Sequence, residues 1–330
     1  MEINNKLTRT TYITKNVYSK IITLLLIMSL SVIANETVLV LRQDGDNFEE
    51  VFRGLDDELS FELNVVDIIV SGNTNVNGLS DIIEEHNPKL LVLMDNQVIT
   101  LYREYLNNFD IENPLPSVSL MGVMVGDAIS EIKNATGISY EIPLVTSLVN
   151  LRAVLSEPMK RVGVIYREFL HDFVEENRAY CSNEGIELID VKIPNNESNL
   201  RRTLRNRIRD LIEEDKVDAL WIPNDNRLLH PDLLRRVWIP AVRRYDIPVV
   251  VGVEILVDPQ INLGSFAVLP DHIALGTQAA EMVFNIMDNN WVAQGYRVQP
   301  PLAVYLIVNY KHLKSKITEE ALDGVDRIVK

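Results

Sequence analysis

The sequence has a single cysteine, Cys181, in 330 residues, so no disulfide can form within the chain. Its surroundings, FLHDFVEENRAYC, read as a helix, where a lone thiol serves as a small buried hydrophobe. Glycine is scarce too, 14 in all, and no two are spaced G-x-G, which removes the dinucleotide fingerprint. No G-x-x-x-x-G-K phosphate loop, G-x-S-x-G elbow or H-E-x-x-H helix occurs. The five histidines (His86, His171, His230, His272 and His312) are scattered without ligand-like spacing. No cofactor and no metal are therefore expected, and the chain is expected not to be an enzyme. Positive charge is short as well: 32 basic against 47 acidic residues leave a net charge of −15, which argues against nucleic acid and anionic membranes as partners.

Long apolar runs are also missing, since spanning a bilayer takes about 20 residues. The longest, IITLLLIMSLSVIA (Ile21–Ala34), has 14. Lys6, Arg9, Lys15 and Lys20 precede it against Glu2 alone, and Val32-x-Ala34 follows its core. A basic start, a short apolar core and small residues at its end predict a secretory signal peptide over 1–34. Cleavage there would leave 28 basic and 46 acidic residues, a net charge of −18. No cysteine follows the apolar core to carry a lipid anchor, so a soluble periplasmic chain, monomeric, is expected.

What the chain has in abundance is short β-branched runs alternating with amphipathic stretches. Strands are predicted at 37–41, 61–70, 89–94, 116–123, 161–166, 186–193, 217–222, 247–253, 263–269 and 303–308. Near-continuous apolar runs such as KLLVLM and VDALWI fit strands covered on both faces, as in parallel sheets flanked by helices. Between them NLRRTLRNRIRDLIEED (199–215) puts Leu200, Leu204, Ile208, Leu211 and Ile212 on one helical face and leaves its arginines to solvent. This alternation predicts α/β architecture with doubly wound parallel sheets. Ten strands exceed one ordinary sheet, and the quiet stretch 134–160 divides the series, so two lobes joined near Ser139–Pro143 are expected.

Polar residues recur just after these strands. Asp44 and Asn47 follow the first, Asp95 and Asn96 the third and Gly122 the fourth. Arg167 follows RVGVIY, the trio Asn224, Asp225 and Asn226 follows VDALWI, and Glu254 follows VVVGV. Open parallel sheets bind ligands beyond the carboxyl ends of their strands. Two such edges facing each other would line a cleft in which Arg167 holds a carboxylate and Asp225 or Glu254 an ammonium. Tyr140, Tyr166 and Phe266 would supply stacking surfaces. Each of these residues also fits a plain N-cap or turn.

The order NATGISYEIP, helix, RVGVIYREF, GIELIDVKIP, VDALWIPNDN, IPVVVGVE, LGSFAVL, HIALGTQAAEMV and AVYLIVNYKHLKSK resembles the solute-binding proteins of ABC transporters. The resemblance is to the type I periplasmic binding fold, and within it to the tryptophan-type and uncharacterised substrate-binding family. It implies two lobes joined by three crossovers, 35–145 plus 256–300 and 146–255 plus 301–330, closing on a small solute. It also places Asn224–Asn226 and Glu254 on the second lobe's ligand edge, with Ser265 and Phe266 near the hinge. Two segments depart from the family's pattern: Met94-Asp95-Asn96-Gln97 replaces a Gly-Thr-Pro-like loop, and Ala267-Val268-Leu269-Pro270 a Gly/Tyr-rich one.

Two roles follow: delivery of a small polar, amino-acid-like solute to a membrane permease, or presentation of the ligand-bound form to a membrane sensor receptor. Asp225→Ala is expected to abolish the ligand-induced thermal shift and to leave the unliganded Tm nearly unchanged. If Asp225 is a cap, Tm falls and binding survives.

Overall fold

The computed structural model describes residues 35–318 and 320–330. The expected export signal, 1–34, lies outside them. No helix among the described residues is long and apolar enough to cross a membrane.

Each predicted strand has its counterpart. The first five strands are β1 (Thr37–Arg42), β2 (Asn64–Ile69), β3 (Leu90–Met94), β4 (Ser117–Leu120) and β5 (Ala135–Gly137), paired in parallel in the order β2-β1-β3-β4-β5. Side chains alternate across a strand, so Val38 and Val40 of β1 face one apolar cluster while Leu39 and Leu41 face the other. Both faces are buried, which explains the unbroken apolar runs.

The second sheet holds β6 (Arg161–Arg167), β7 (Glu187–Ile193), β8 (Ala219–Ile222), β9 (Val249–Val251), β10 (Phe266–Pro270), β11 (Val304–Asn309) and β12 (Arg327–Val329). Their order is β12-β11-β10-β9-β8-β6-β7. All neighbours pair in parallel except β10 and β11, which are antiparallel. It too is buried on both faces, with Ile165 on one side and Val164 and Tyr166 on the other.

Three crossings join the lobes. The first leaves β5 through Ile138–Pro143 and enters helix Leu144–Val154, whose leucines belong to the second lobe's core. The second runs from Pro270, the end of β10, into helix His272–Asp288, which packs on helix Asp46–Leu59 of the first lobe. The third returns after Pro300 to β11. The sheet therefore draws the lobe limits differently from the sequence-based expectation. Residues 256–270, expected in the first lobe, build the second, because β10 hydrogen-bonds to β9 and β11.

The crossings are laced to one another. Ser139 N–H donates to the Gln299 carbonyl at 2.9 Å, and Ile138 pairs with Gln299, joining the first crossing to the third. The Tyr140 hydroxyl lies 3.1 Å from His272 Nε2, joining the first to the second. His272 Nδ1 sits 3.2 Å from Glu50 Oε2 on helix Asp46–Leu59, so the lacing ends on the first lobe.

That helix contact is close enough to demand glycine. A Cβ on Gly276 would stand 2.1 Å from the Val51 carbonyl oxygen and 2.7 Å from the Leu55 nitrogen, both rigid backbone atoms. The two helices would have to separate around a buried cluster with packing close to that of a crystal. Gly276→Ala is therefore expected to destabilise the protein by about 1–3 kcal/mol despite alanine's better helix propensity, read as a lower urea midpoint at unchanged m.

Candidate functional site

The sequence-predicted residues sort into three groups. The first is tied into the fold. Asp225 is buried with its side chain wholly covered, and Arg167 meets it in a two-pronged pair, Nε–Oδ2 2.7 Å and Nη2–Oδ1 2.8 Å. The same carboxylate accepts the backbone N–H groups of Arg227 at 2.8 Å and Leu228 at 3.2 Å. Three of these hydrogen bonds end on Oδ1 and one on Oδ2. The cap and the ion pair thus share one aspartate, whose covered carboxylate is turned to the fold and away from solvent.

Asn96 is spent in a similar way. Its Nδ2 donates to the Val123 carbonyl at 2.8 Å and its Oδ1 accepts from the Val123 N–H at 2.6 Å, clamping the loop after β4 to the loop after β3. Gly122 lies under the clamp, where a Cβ would be 2.5 Å from Asn96 Oδ1. Asp95 caps the following helix by accepting from Gln97 N–H at 2.7 Å. It does so at φ 91°, a backbone region costly for a side chain other than glycine. Met121 and Met124, at φ 60° and 52°, add two more left-handed residues at the same edge.

A second group lies in the core or elsewhere on the surface. Phe266 is completely buried in the second lobe and offers no stacking face. Ser265 is buried too, its hydroxyl accepting from Val249 N–H at 3.1 Å. Tyr166 is buried, with its hydroxyl donating to Asp190 Oδ2 at 2.8 Å; burial and that carboxylate raise its pKa. Glu254 forms an ion pair with Arg327 of β12. Asp44 and Asn47 are exposed after β1, and Asn226 is exposed beside the buried pair.

The third group meets at the hinge. Tyr140 and Asn224 line a recess of 30 Å³ together with Glu141, Phe173, Trp221 and Gly252. Asn224 Oδ1 is buried there and has no hydrogen-bond partner, an arrangement that costs free energy unless a donor arrives. Burial, with the charge of Glu254, pushes the Tyr140 hydroxyl up to about 12, so it stays protonated at neutral pH.

Glu141 and Phe173 also face a larger cavity of 590 Å³, within the usual range for small-molecule sites. The first lobe lines it with Met124–Asp127 and Val298–Pro300, the second with Val145, Thr146 and the helix face Phe173, Glu176, Asn177 and Tyr180. Ser139, Glu141 and Pro143 of the first crossing form its wall. Glu141 Oε1 accepts from Met124 N–H at 2.9 Å. Burial pushes its carboxyl above the ordinary range, opposed by that amide. Sequence reasoning missed Glu141, Phe173 and Trp221. The signal for Glu141 was its place in SYEIP, a carboxylate inside the segment that joins the lobes.

No family model matches the chain, and no curated protein does. Solved structures do. An ABC domain in complex with L-Trp from Streptococcus pneumonia is 17% identical, matches 89% of this chain and 100% of its own, and superposes with a TM-score of 0.54. A substrate-binding protein with adhesive properties from Clostridium difficile, in its ligand-free, open structure, is 14% identical over 89% of this chain and 99% of its own, at a TM-score of 0.64. A periplasmic ribose ABC transporter protein from Conexibacter woesei is 12% identical, over 86% of this chain and 94% of its own, at 0.51. The two lobes and their connection are those of the type I periplasmic binding fold.

The Arg167–Asp225 geometry reverses the expectation for Asp225→Ala. Arg167→Ala strands a wholly covered carboxylate and should cost about 3–5 kcal/mol in urea unfolding, while Asp225→Ala leaves a partly solvated guanidinium and should cost less. The double variant should cost clearly less than the sum. An unchanged unfolding curve for either single variant would show that the pair does not hold the strand ends.

Proposed function

We propose that this chain is an exported solute-binding protein that captures a small molecule between its two lobes and delivers it to a membrane permease. One observation carries the reading: the 590 Å³ cavity is lined by both lobes and walled by the crossing between them. A ligand there touches the moving parts on both sides, so it favours whichever lobe arrangement gives it the most contacts. The unpartnered Asn224 Oδ1 in the adjoining recess supports binding, because it is an acceptor held ready at the hinge. The shared fold with ABC substrate-binding proteins supports a permease as the partner, and the basic–apolar N-terminal segment supports export. Binding would proceed without covalent chemistry.

The test is a thermal-shift screen against amino acids, small peptides, sugars and amines, followed by small-angle X-ray scattering. A ligand at 100 times its Kd should stabilise the protein by about 2.7 kcal/mol. The same ligand should reduce the radius of gyration as the lobes close. A thermal shift with an unchanged scattering curve would reject hinge closure, and silence across the screen would reject solute binding.

A further inference from the structure

We infer that the hinge cavity selects a primary amine or other organic cation with an apolar body and no carboxylate. The inference rests on the solute-binding reading and assigns its ligand class. The resemblance in sequence implies an amino-acid-like ligand, and such a zwitterion carries a carboxylate that is held most strongly by an Arg or Lys. Arg167, the guanidinium at the second lobe's strand ends, turns Nε and Nη2 to Asp225 and does not line the cavity. Among the described residues no Arg, Lys or His lines the cavity; its ionisable walls are Asp127, Glu141 and Glu176, with the Tyr180 phenol.

The remaining polar chemistry favours a donor. Glu141 stands between cavity and recess and lines both. Asn224 Oδ1, an acceptor without a donor, lies in the recess. An ammonium group supplies N–H donors only, and so complements both without leaving an acceptor of its own unpaired. Phe173 and Tyr180 provide the aromatic faces that such a cation and its apolar body can contact. The field of the first lobe points the same way: residues 37–138 contain 18 acidic and 5 basic side chains. A cation approaching the hinge is drawn in, while an anion is repelled at low salt.

The alternatives differ only in charge when the ligand body is held constant. Phenethylamine, phenylalanine and 3-phenylpropionate make one such set; tryptamine, tryptophan and indole-3-propionate a second; pentylamine, norleucine and hexanoate a third. Calorimetry on the full mature chain should rank amine above amino acid above acid within every set that shows binding. Glu141→Gln should weaken the amine by about tenfold or more, the scale of a lost hydrogen bond to a charged group. Glu176→Gln, on the exposed helix face, should weaken it less and keeps the test valid if the Glu141 variant does not fold. An amino acid or acid binding at least as tightly as its amine overturns the amine assignment while leaving solute binding intact. Amine binding that neither variant weakens overturns the cavity as its site. Silence from all nine compounds overturns the assignment as well, and a hit elsewhere in the broader screen would then show that solute binding survives it.

Discussion

The buried pair between Arg167 and Asp225 fixes the cleft edge of the second lobe. It ties the last residue of β6 to the turn after β8, two neighbouring strands whose partners stand 58 residues apart in sequence. Burying a carboxylate is costly unless it is paired and hydrogen-bonded, and here it accepts from two guanidinium N–H groups and two backbone N–H groups. The first lobe repeats the device. β1 also ends in a buried arginine, Arg42, which reaches Asp67 of β2 at 2.7 and 2.8 Å and Glu49 at 2.6 Å. In both lobes the strongest charges at the strand ends therefore hold the scaffold, and recognition is left to the groups beside them.

The first of those groups is Asn224, which precedes Asp225 and is carried with it. With Asp225 anchored, Asn224 packs against Gly252 after β9, its amide atoms 3.0 and 3.1 Å from the point a Cβ would occupy. It thereby faces the hinge recess instead of the protein's polar network. Glu141 lines the same recess from the first crossing, steadied by Met124 N–H of the first lobe. The crossings themselves are bonded together through Gln299, His272 and Tyr140, so a rearrangement at one is felt at the others. A pocket in that position senses lobe arrangement directly, since its walls belong to segments whose relative placement changes in a hinge motion.

Much of this was legible in the sequence and some could not be. The strands were plain because sheets buried on both faces require unbroken apolar runs, as LLVLM in β3 shows. The junction near Ser139–Pro143 was visible as a break in that rhythm. The sheet membership of β10 was not, because FAVLP reads the same whichever lobe its hydrogen bonds join. The site was harder still. Arg167 and Asp225 each carried a credible binding role alone, and no local pattern reveals that two residues so distant satisfy each other. Phe266 was apolar and aromatic, which suits a core as well as a stacking platform; the packing of helix Leu144–Val154 against its sheet decided for the core. The cavity draws on four segments between Met124 and Pro300, so it has no sequence signature at all.

The zwitterionic ligand expected from sequence and the acceptor-rich cavity in the structure differ for one physical reason. Sequence displays every charged side chain as available, whereas folding first consumes those that stabilise the buried backbone and its turns. At the strand ends the groups so engaged include the buried Arg42 and the partly exposed Arg167, with their aspartates. The ionisable carboxyls around the hinge are Glu141, Asp127 and Glu176, set among the neutral polar groups of Asn224, Ser139, Thr146 and Gln299. A cleft selects its ligand with the capacity left over, and here that is carboxylates holding one neutral donor each, Met124 N–H on Glu141 and the Tyr180 hydroxyl on Glu176, and an amide oxygen without a donor. Their combined demand is for positive charge and N–H donors, set against aromatic and aliphatic walls.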